Sequence, residues 1–183
     1  MGGCVPKIPK IIFICVKPNV FKKSLESGSQ PLVNWHPMAS SMVIFISVMA
    51  GIELESVRKA LNPESDSIIY FARLMPNTAV TINVGICGTS IMSTGSPEGD
   101  QQFKHFLQQL LTPLGLCEIV DEHHLNAVCG LGGSGIAFVY TFIHAMSDGG
   151  VKQGLPRSVA TSIAAQTVKV RVEIFLHYFY SYF

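Results

Sequence analysis

The sequence predicts an α/β layer with a largely parallel sheet over residues 1–120, followed by an all-α module over 121–183. Apolar runs rich in β-branched residues alternate with amphipathic stretches through the first 120 residues. After Asp121 the pattern turns helical throughout. Charged residues make up only 14% of the chain against 48% hydrophobic. Since roughly 25% charged is usual in soluble domains, much apolar surface here must find cover, either in a membrane or in an oligomer.

The elements follow in order. Ile11-Ile12-Phe13-Ile14-Cys15-Val16 is a continuous apolar run, as in a strand buried on both faces of a parallel sheet. A short helix over Val20 to Glu26 is stopped by Gly28 and Pro31. Val43 to Val48 reads as a second buried strand ended by Ala50-Gly51. Glu53 to Leu61 reads as a helix with Leu54, Val57 and Leu61 on one face and Asn62-Pro63 as its stop. Strands are expected at Ile68 to Leu74, Ile86 to Met92 and Cys117 to Val120. Between the last two, Pro97 to Leu111 turns Phe103, Phe106, Leu107, Leu110 and Leu111 toward a core. Helices over Glu122 to Val128, Gly135 to Ser147 and Pro156 to about His177 follow, with Asp148-Gly149-Gly150 and Gly154-Leu155-Pro156 as turns between the last two. The helix from Ile136 is apolar nearly all round, so it must be buried, and packing between subunits is the natural solution.

A chain of 183 residues with 13 basic and 12 acidic side chains supports one domain, or one and part of a second. Its net charge of +1 leaves nucleic-acid binding without an electrostatic footprint. The stretches free of Asp, Glu, Lys and Arg argue against a membrane span: Ser27 to Ile52 contains Pro31, Asn34, His36 and Pro37, and His123 to Ser147 is expected to break at Gly130, Gly132, Gly133 and Gly135. Pro6, Pro9 and Lys10 interrupt the early region where a secretory signal would lie. The start Met1-Gly2-Gly3-Cys4 hints at N-myristoylation, but Pro6 stands where that motif wants Ser or Thr. Five scattered cysteines without a C-x-x-C pair suit a reduced intracellular compartment. The last nine residues hold six of the 17 aromatics, a sticky end suited to a partner or to an irregular end of the reading frame.

Gly130-Leu131-Gly132-Gly133-Ser134-Gly135 matches G-x-G-x-x-G, but a helical pattern precedes it where a dinucleotide fingerprint needs a strand. It reads instead as a tight turn opening a helix, with free N–H groups for an anion. Cys15-Val16-Lys17-Pro18, Val48-Met49-Ala50-Gly51 and Met75-Pro76-Asn77-Thr78 each follow a predicted strand. Three such carboxyl ends line one crevice, the place where open α/β sheets bind ligands. Asp121-Glu122-His123-His124 and Cys129 are ligand-capable, yet adjacent histidines diverge by about 100° on a helix, so no metal site is expected. No nucleophile–base pair is assignable from spacing, and the catalytic residues stay unknown.

Three segments closely resemble pyrroline-5-carboxylate reductase: Gly130 to Phe138, Asp148-Gly149-Gly150-Val151-Lys152-Gln153-Gly154-Leu155-Pro156-Arg157, and Ala164-Ala165-Gln166-Thr167-Val168. Val16-Lys17-Pro18, Met49-Ala50-Gly51 and Met75-Pro76-Asn77-Thr78 fall in that family's order, so the likeness runs from about Ile11 to Val168. It implies a Rossmann-type NAD(P)-binding domain over 1–120 and a helical dimerisation domain over 121–183. It also implies reduction of 1-pyrroline-5-carboxylate to L-proline with NADPH or NADH, in a homo-oligomer, in the cytoplasm or mitochondrion. Carried across, Val16, Lys17, Pro18, Asn19, Val48, Met49, Ala50 and Thr78 would meet the cofactor, and Glu122, Gly133, Ser134 and Gly135 the substrate.

The chain also departs from that family. The family opens with a strand, a G-x-G-x-x-G and a helix, then the strand that sets NAD or NADP preference, and this sequence begins after them. It leaves the pattern at about Lys169, before a Ser-Pro-Gly-Gly-Thr-Thr-like substrate loop. Gly132 replaces Ser, Ile136 replaces Pro, Phe138 replaces Tyr, and Ala79 replaces the Pro after Met-Pro-Asn-Thr. The alternative expectation is therefore an inactive relative that associates with full-length subunits. A sheet begun partway leaves an edge and an apolar face uncovered, which predicts marginal stability without a partner.

Overall fold

A computed structural model describes residues 10–26, 42–61 and 68–182. The start Met1-Gly2-Gly3-Cys4, the stops at Gly28-Pro31 and Asn62-Pro63, and Phe183 lie outside them. The chain forms two compact units, Met1–Gly133 and Ser134–Phe183.

The first unit holds a five-stranded sheet whose spatial order is the order of the chain. Its strands are β1 (Lys10–Ile14), β2 (Met42–Ser47), β3 (Ile68–Pro76), β4 (Gly85–Ile91) and β5 (Gly115–Ile119). Helices α1 (Pro18–Glu26), α2 (Leu54–Leu61) and α3 (Pro97–Leu111) connect or flank them. The pairs β1–β2, β2–β3 and β4–β5 are parallel, as the apolar runs predict. The pair β3–β4 is antiparallel. Only residues 77–84 link these strands, too few for a crossover, which needs a dozen or more. They form a 3₁₀ turn, Thr78–Ile82, organised by the buried Asn77. The Asn77 side-chain oxygen accepts from Ala79 N and Ile86 N, both at 3.2 Å, and its amide nitrogen donates to Gly132 O at 3.0 Å. β4 and β5 begin their pairing at Gly85 and Gly115. Gly115 has φ +132°, and a side chain there would collide with the Gly85 backbone.

Both faces of the sheet are covered, which explains the unbroken apolar runs. On one face Val43, Phe45 and Phe71 pack with Phe21, Leu54, Val57 and Leu61, and the Phe45 and Phe71 rings stack at 5.5 Å. On the other, Ile44, Ile46, Ala72 and Leu74 meet Phe103, Leu107 and Leu111 of α3. Each large aliphatic side chain so buried is worth about 1.5–3 kcal/mol. The bounds of α3 agree with the sequence expectation because its start is fully signalled: the Ser96 hydroxyl accepts from Gly99 N at 3.0 Å, and Pro97 follows it.

The second unit is an antiparallel helical hairpin of α5 (Gly135–Lys152) and α6 (Arg157–Tyr182). Two expectations are corrected here. Asp148-Gly149-Gly150 is not a turn but lies inside α5. A glycine at 150 lets α6 approach, since a Cβ there would stand 3.1 Å from the Ala160 Cβ. The helix ends later, at Gly154 with φ +93°: Gly154 N donates to Val151 O at 2.9 Å and Leu155 N to Gly150 O at 3.1 Å. That paired arrangement closes the orphan carbonyls and needs a left-handed residue at 154. The second correction concerns the glycines of 130–135, which do not break the helix. A short helix α4 (Leu125–Val128) leads into a π-helical stretch, Cys129–Ser134, and then α5. The helical run Glu122–Lys152 is thus long and apolar enough to cross a membrane, by length and composition alone. The aromatic end falls in α6, where Phe175 is exposed.

Candidate functional site

Because β1, β2 and β3 are parallel neighbours, their carboxyl ends lie on one edge of the sheet. Val16, Lys17, Pro18 and Asn19 follow β1; the Lys17 carbonyl accepts from Val20 N at 2.9 Å and Phe21 N at 3.1 Å, opening α1. Val48, Met49 and Ala50 follow β2, and Val48 N donates to Ile14 O at 3.2 Å, tying the first two ends together. Thr78 opens the 3₁₀ turn after β3. Val16, Lys17, Asn19, Ala50 and Thr78 are exposed, whereas the Met49 side chain is buried among the core residues. The space above Gly51 is open. The edge therefore offers one cation (Lys17), one amide (Asn19), one hydroxyl (Thr78) and free loop surface.

Glu122 begins a 3₁₀ turn, Glu122–His124, three residues after β5. Its Oε1 accepts from Leu54 N at 2.7 Å, so the carboxylate caps α2 where the helix dipole favours negative charge. The same oxygen accepts from Arg73 Nη1 at 3.2 Å. Sequence reasoning passed over Arg73, although an arginine inside the apolar run Ile68 to Leu74 was a visible signal. Register sets it in a row with Ser47 on β2 and Ser90 on β4, and all three are buried. Its Nε and Nη2 have no hydrogen-bond partner among the described residues.

Gly133 ends the first unit and is exposed, while Ser134 and Gly135 open the second at the start of α5. The backbone of 130–134 is helical, so the expected tight turn with free N–H groups is absent from these residues. Cys87 and Cys117 lie opposite each other on β4 and β5, and burial pushes both thiols up. Asp100 goes the other way: the backbone N–H and hydroxyl of Thr94, and then the Ser93 hydroxyl, hold its carboxyl below the usual range. It lines a polar cavity of about 550 Å³ with Ser90, Lys104, Asp121, Glu122 and His124. Beside that cavity, His123 and His124 do not diverge as a regular helix would have them. Their ring centroids are 3.8 Å apart. The second unit carries a different kind of opening, an almost wholly apolar groove of about 910 Å³ with Phe142, Met146, Ile163 and Val168 in its walls.

Comparison with known proteins bears on both units. Residues 122–178 match the family described as pyrroline-5-carboxylate reductase dimerisation. The curated pyrroline-5-carboxylate reductase 3 of Danio rerio is 37% identical over 159 residues, which cover 87% of this chain and 50% of that protein. The solved pyrroline-5-carboxylate reductase of Coxiella burnetii superposes with a TM-score of 0.69 at 23% identity, over 91% of this chain and 57% of that one. The pyrroline carboxylate reductase of Plasmodium falciparum, solved with NADP bound, gives 0.68 at 23% identity, over 90% and 57%. At such identities the structural likeness speaks for the fold. The chain spans about half the length of the curated relatives it matches. With the ordered motifs, the mostly parallel sheet and the helical hairpin all in agreement, the chain belongs to the pyrroline-5-carboxylate reductase family.

Proposed function

We propose that this chain carries the nicotinamide edge and the subunit interface of a reductase that converts 1-pyrroline-5-carboxylate to L-proline with NADPH or NADH. The observation that carries the reading is the single edge on which 16–19, 48–50 and 78 meet, in a chain whose residues 122–178 match the dimerisation family. The residues fit a dinucleotide: Lys17 offers a cation for phosphate, Asn19 and Thr78 offer polar groups, and the loop at Gly51 leaves room. When bound, the nicotinamide supplies a hydride to the imine carbon, and a proton on nitrogen completes the amine. The chain binds and orients. In this reading Glu122, held by Leu54 N and Arg73, and the glycine segment Gly133, Ser134 and Gly135 face the substrate. The domains are 1–120 for the cofactor and 121–183 for pairing, and the chain pairs with a second copy through its apolar helices. We read the compartment as cytoplasmic or mitochondrial.

NADPH oxidation by the purified chain with 1-pyrroline-5-carboxylate tests the reading. Turnover that falls when Lys17 is replaced by Ala, through a KM for NADPH raised at least about tenfold, supports it; loss of a charged phosphate contact is worth about 1.5–3 kcal/mol. A folded chain that neither turns over nor binds NADPH overturns it. A second reading, a non-catalytic relative that binds full-length reductase subunits, is favoured by the exposed apolar α5. Co-purification with a full-length reductase, without turnover of its own, selects that reading.

A further inference from the structure

We propose that Asp121, His123 and His124 form a binding site for a borderline divalent transition cation of the Zn²⁺ class. All three side chains are exposed, and one ligand atom from each lies within 4.8 Å of the others. The expected obstacle was helical geometry, because neighbours on an α-helix point about 100° apart. The local backbone removes it. Glu122–His124 is a single 3₁₀ turn leaving β5, and the imidazoles of His123 and His124 come together at 3.8 Å with an interplanar angle of 44°.

The donor set selects the metal class. Two imidazole nitrogens and one carboxylate oxygen suit Zn²⁺, Cu²⁺ or Ni²⁺ and not the oxygen-rich shells of Ca²⁺ or Mg²⁺. A tetrahedral zinc with bonds of about 2.0–2.1 Å holds its ligand atoms about 3.3 Å apart. Closing from 4.8 Å to that spacing takes side-chain rotation only, and exposed side chains are free to rotate. Asp121 and His124 also line the polar cavity of about 550 Å³, so the metal's remaining positions open onto a space that holds water or a small ligand. Asp100 and Lys104 line the same cavity, and the charge of Glu122 there is matched by Arg73, so the Asp121 carboxylate stands without a paired cation among the cavity's charged side chains. The site stands one residue from Glu122, whose carboxylate joins α2 to Arg73. A bound metal braces the turn that presents Glu122.

The test is metal titration of the whole chain with Zn²⁺ alone, read by calorimetry, together with Co²⁺ replacement read by absorption. The expected result is one saturable equivalent, weakened at least about 10- to 100-fold in His123→Ala and in His124→Ala, as losses in a metal's ligand shells are. Asp121→Asn weakens it less. All three positions are exposed, so the variants retain the parent's circular dichroism. The Co²⁺ form shows weak visible bands without a thiolate charge-transfer band. No saturable uptake below about 1 mM overturns the proposal. So does uptake that survives the double histidine variant, or a thiolate band at the first equivalent, which assigns the metal to cysteines.

Discussion

The two units of this chain solve the burial problem in opposite ways. In the first, Val43, Ile46 and Leu107 are fully buried between a sheet and helices on both its faces. In the second, Ala160 and Ala164 are the buried hydrophobic residues among those described, while Phe138, Tyr140 and Phe142 are 70%, 69% and 58% exposed. A two-layer unit can cover its own apolar faces; two helices cover one stripe on each other and leave the rest to solvent. Similar apolar composition therefore becomes an internal core in one place and a surface awaiting a partner in the other. The match of 122–178 to a dimerisation family fits the second outcome.

This contrast can be broken at its strongest point first. Glu122→Gln leaves the Arg73 guanidinium buried without its counter-charge, which destabilises the first unit by about 3–5 kcal/mol in denaturant titration. Adding Arg73→Met to that variant restores most of the loss, because the orphaned charge goes with it. If Glu122→Gln is neutral, the row of buried polar residues is not held as described. Next in size, Leu107→Ala opens a cavity between α3 and the sheet and costs about 2–5 kcal/mol. Phe138→Ala sharpens the other half of the contrast. It leaves the unfolding midpoint of the dilute chain in place but weakens self-association at least about tenfold, or about 1.4 kcal/mol, in sedimentation equilibrium. A Phe138 variant as destabilised in dilution as Leu107→Ala refutes the comparison.

The smallest effect is electrostatic. Glu55 forms a two-pronged contact with Arg58, at 2.9 Å and 2.7 Å, and lies near Lys59. The Arg58 guanidinium holds its carboxyl at about 2, below the ordinary 4.5. A depressed folded pKa stabilises above the unfolded value, so this contribution is complete above pH about 4.5 and fades as pH falls toward 2. The pair is about half exposed, so salt screens it. Carboxyl NMR titration of Glu55 should show the low midpoint in dilute buffer and a rise toward the ordinary value in high salt or in Arg58→Ala.

Much of the first unit was legible because its signals are local. The run Val43 to Val48 has the composition of a strand covered on both faces, and Ser96-Pro97 with Glu98 and Asp100 marks a helix start. The crevice formed by three strand ends was legible too, since adjacent parallel strands must bring their ends to one edge. The antiparallel turn of β4 was legible only in its short linker, residues 77–84; the expectation of a largely parallel sheet assigned that strand no direction. The glycines of 130–135 and 149–150 misled because glycine marks turns on average; here Gly132 and Gly150 sit in helices where another element packs close, against Ile86 and Ala160, while Gly130, Gly135 and Gly149 have open space beside them.

By itself, then, the sequence determined the order and type of most elements and the family they compose, because hydrophobic period, caps and motifs are properties of neighbouring residues. Only the tertiary structure decided which groups meet across it. It set Arg73 between Ser47 and Ser90 and under Glu122, a residue 49 positions away, because strand register is fixed by pairing and not by local pattern. It also brought two adjacent histidines together beside Asp121, where β5 leads into a 3₁₀ turn.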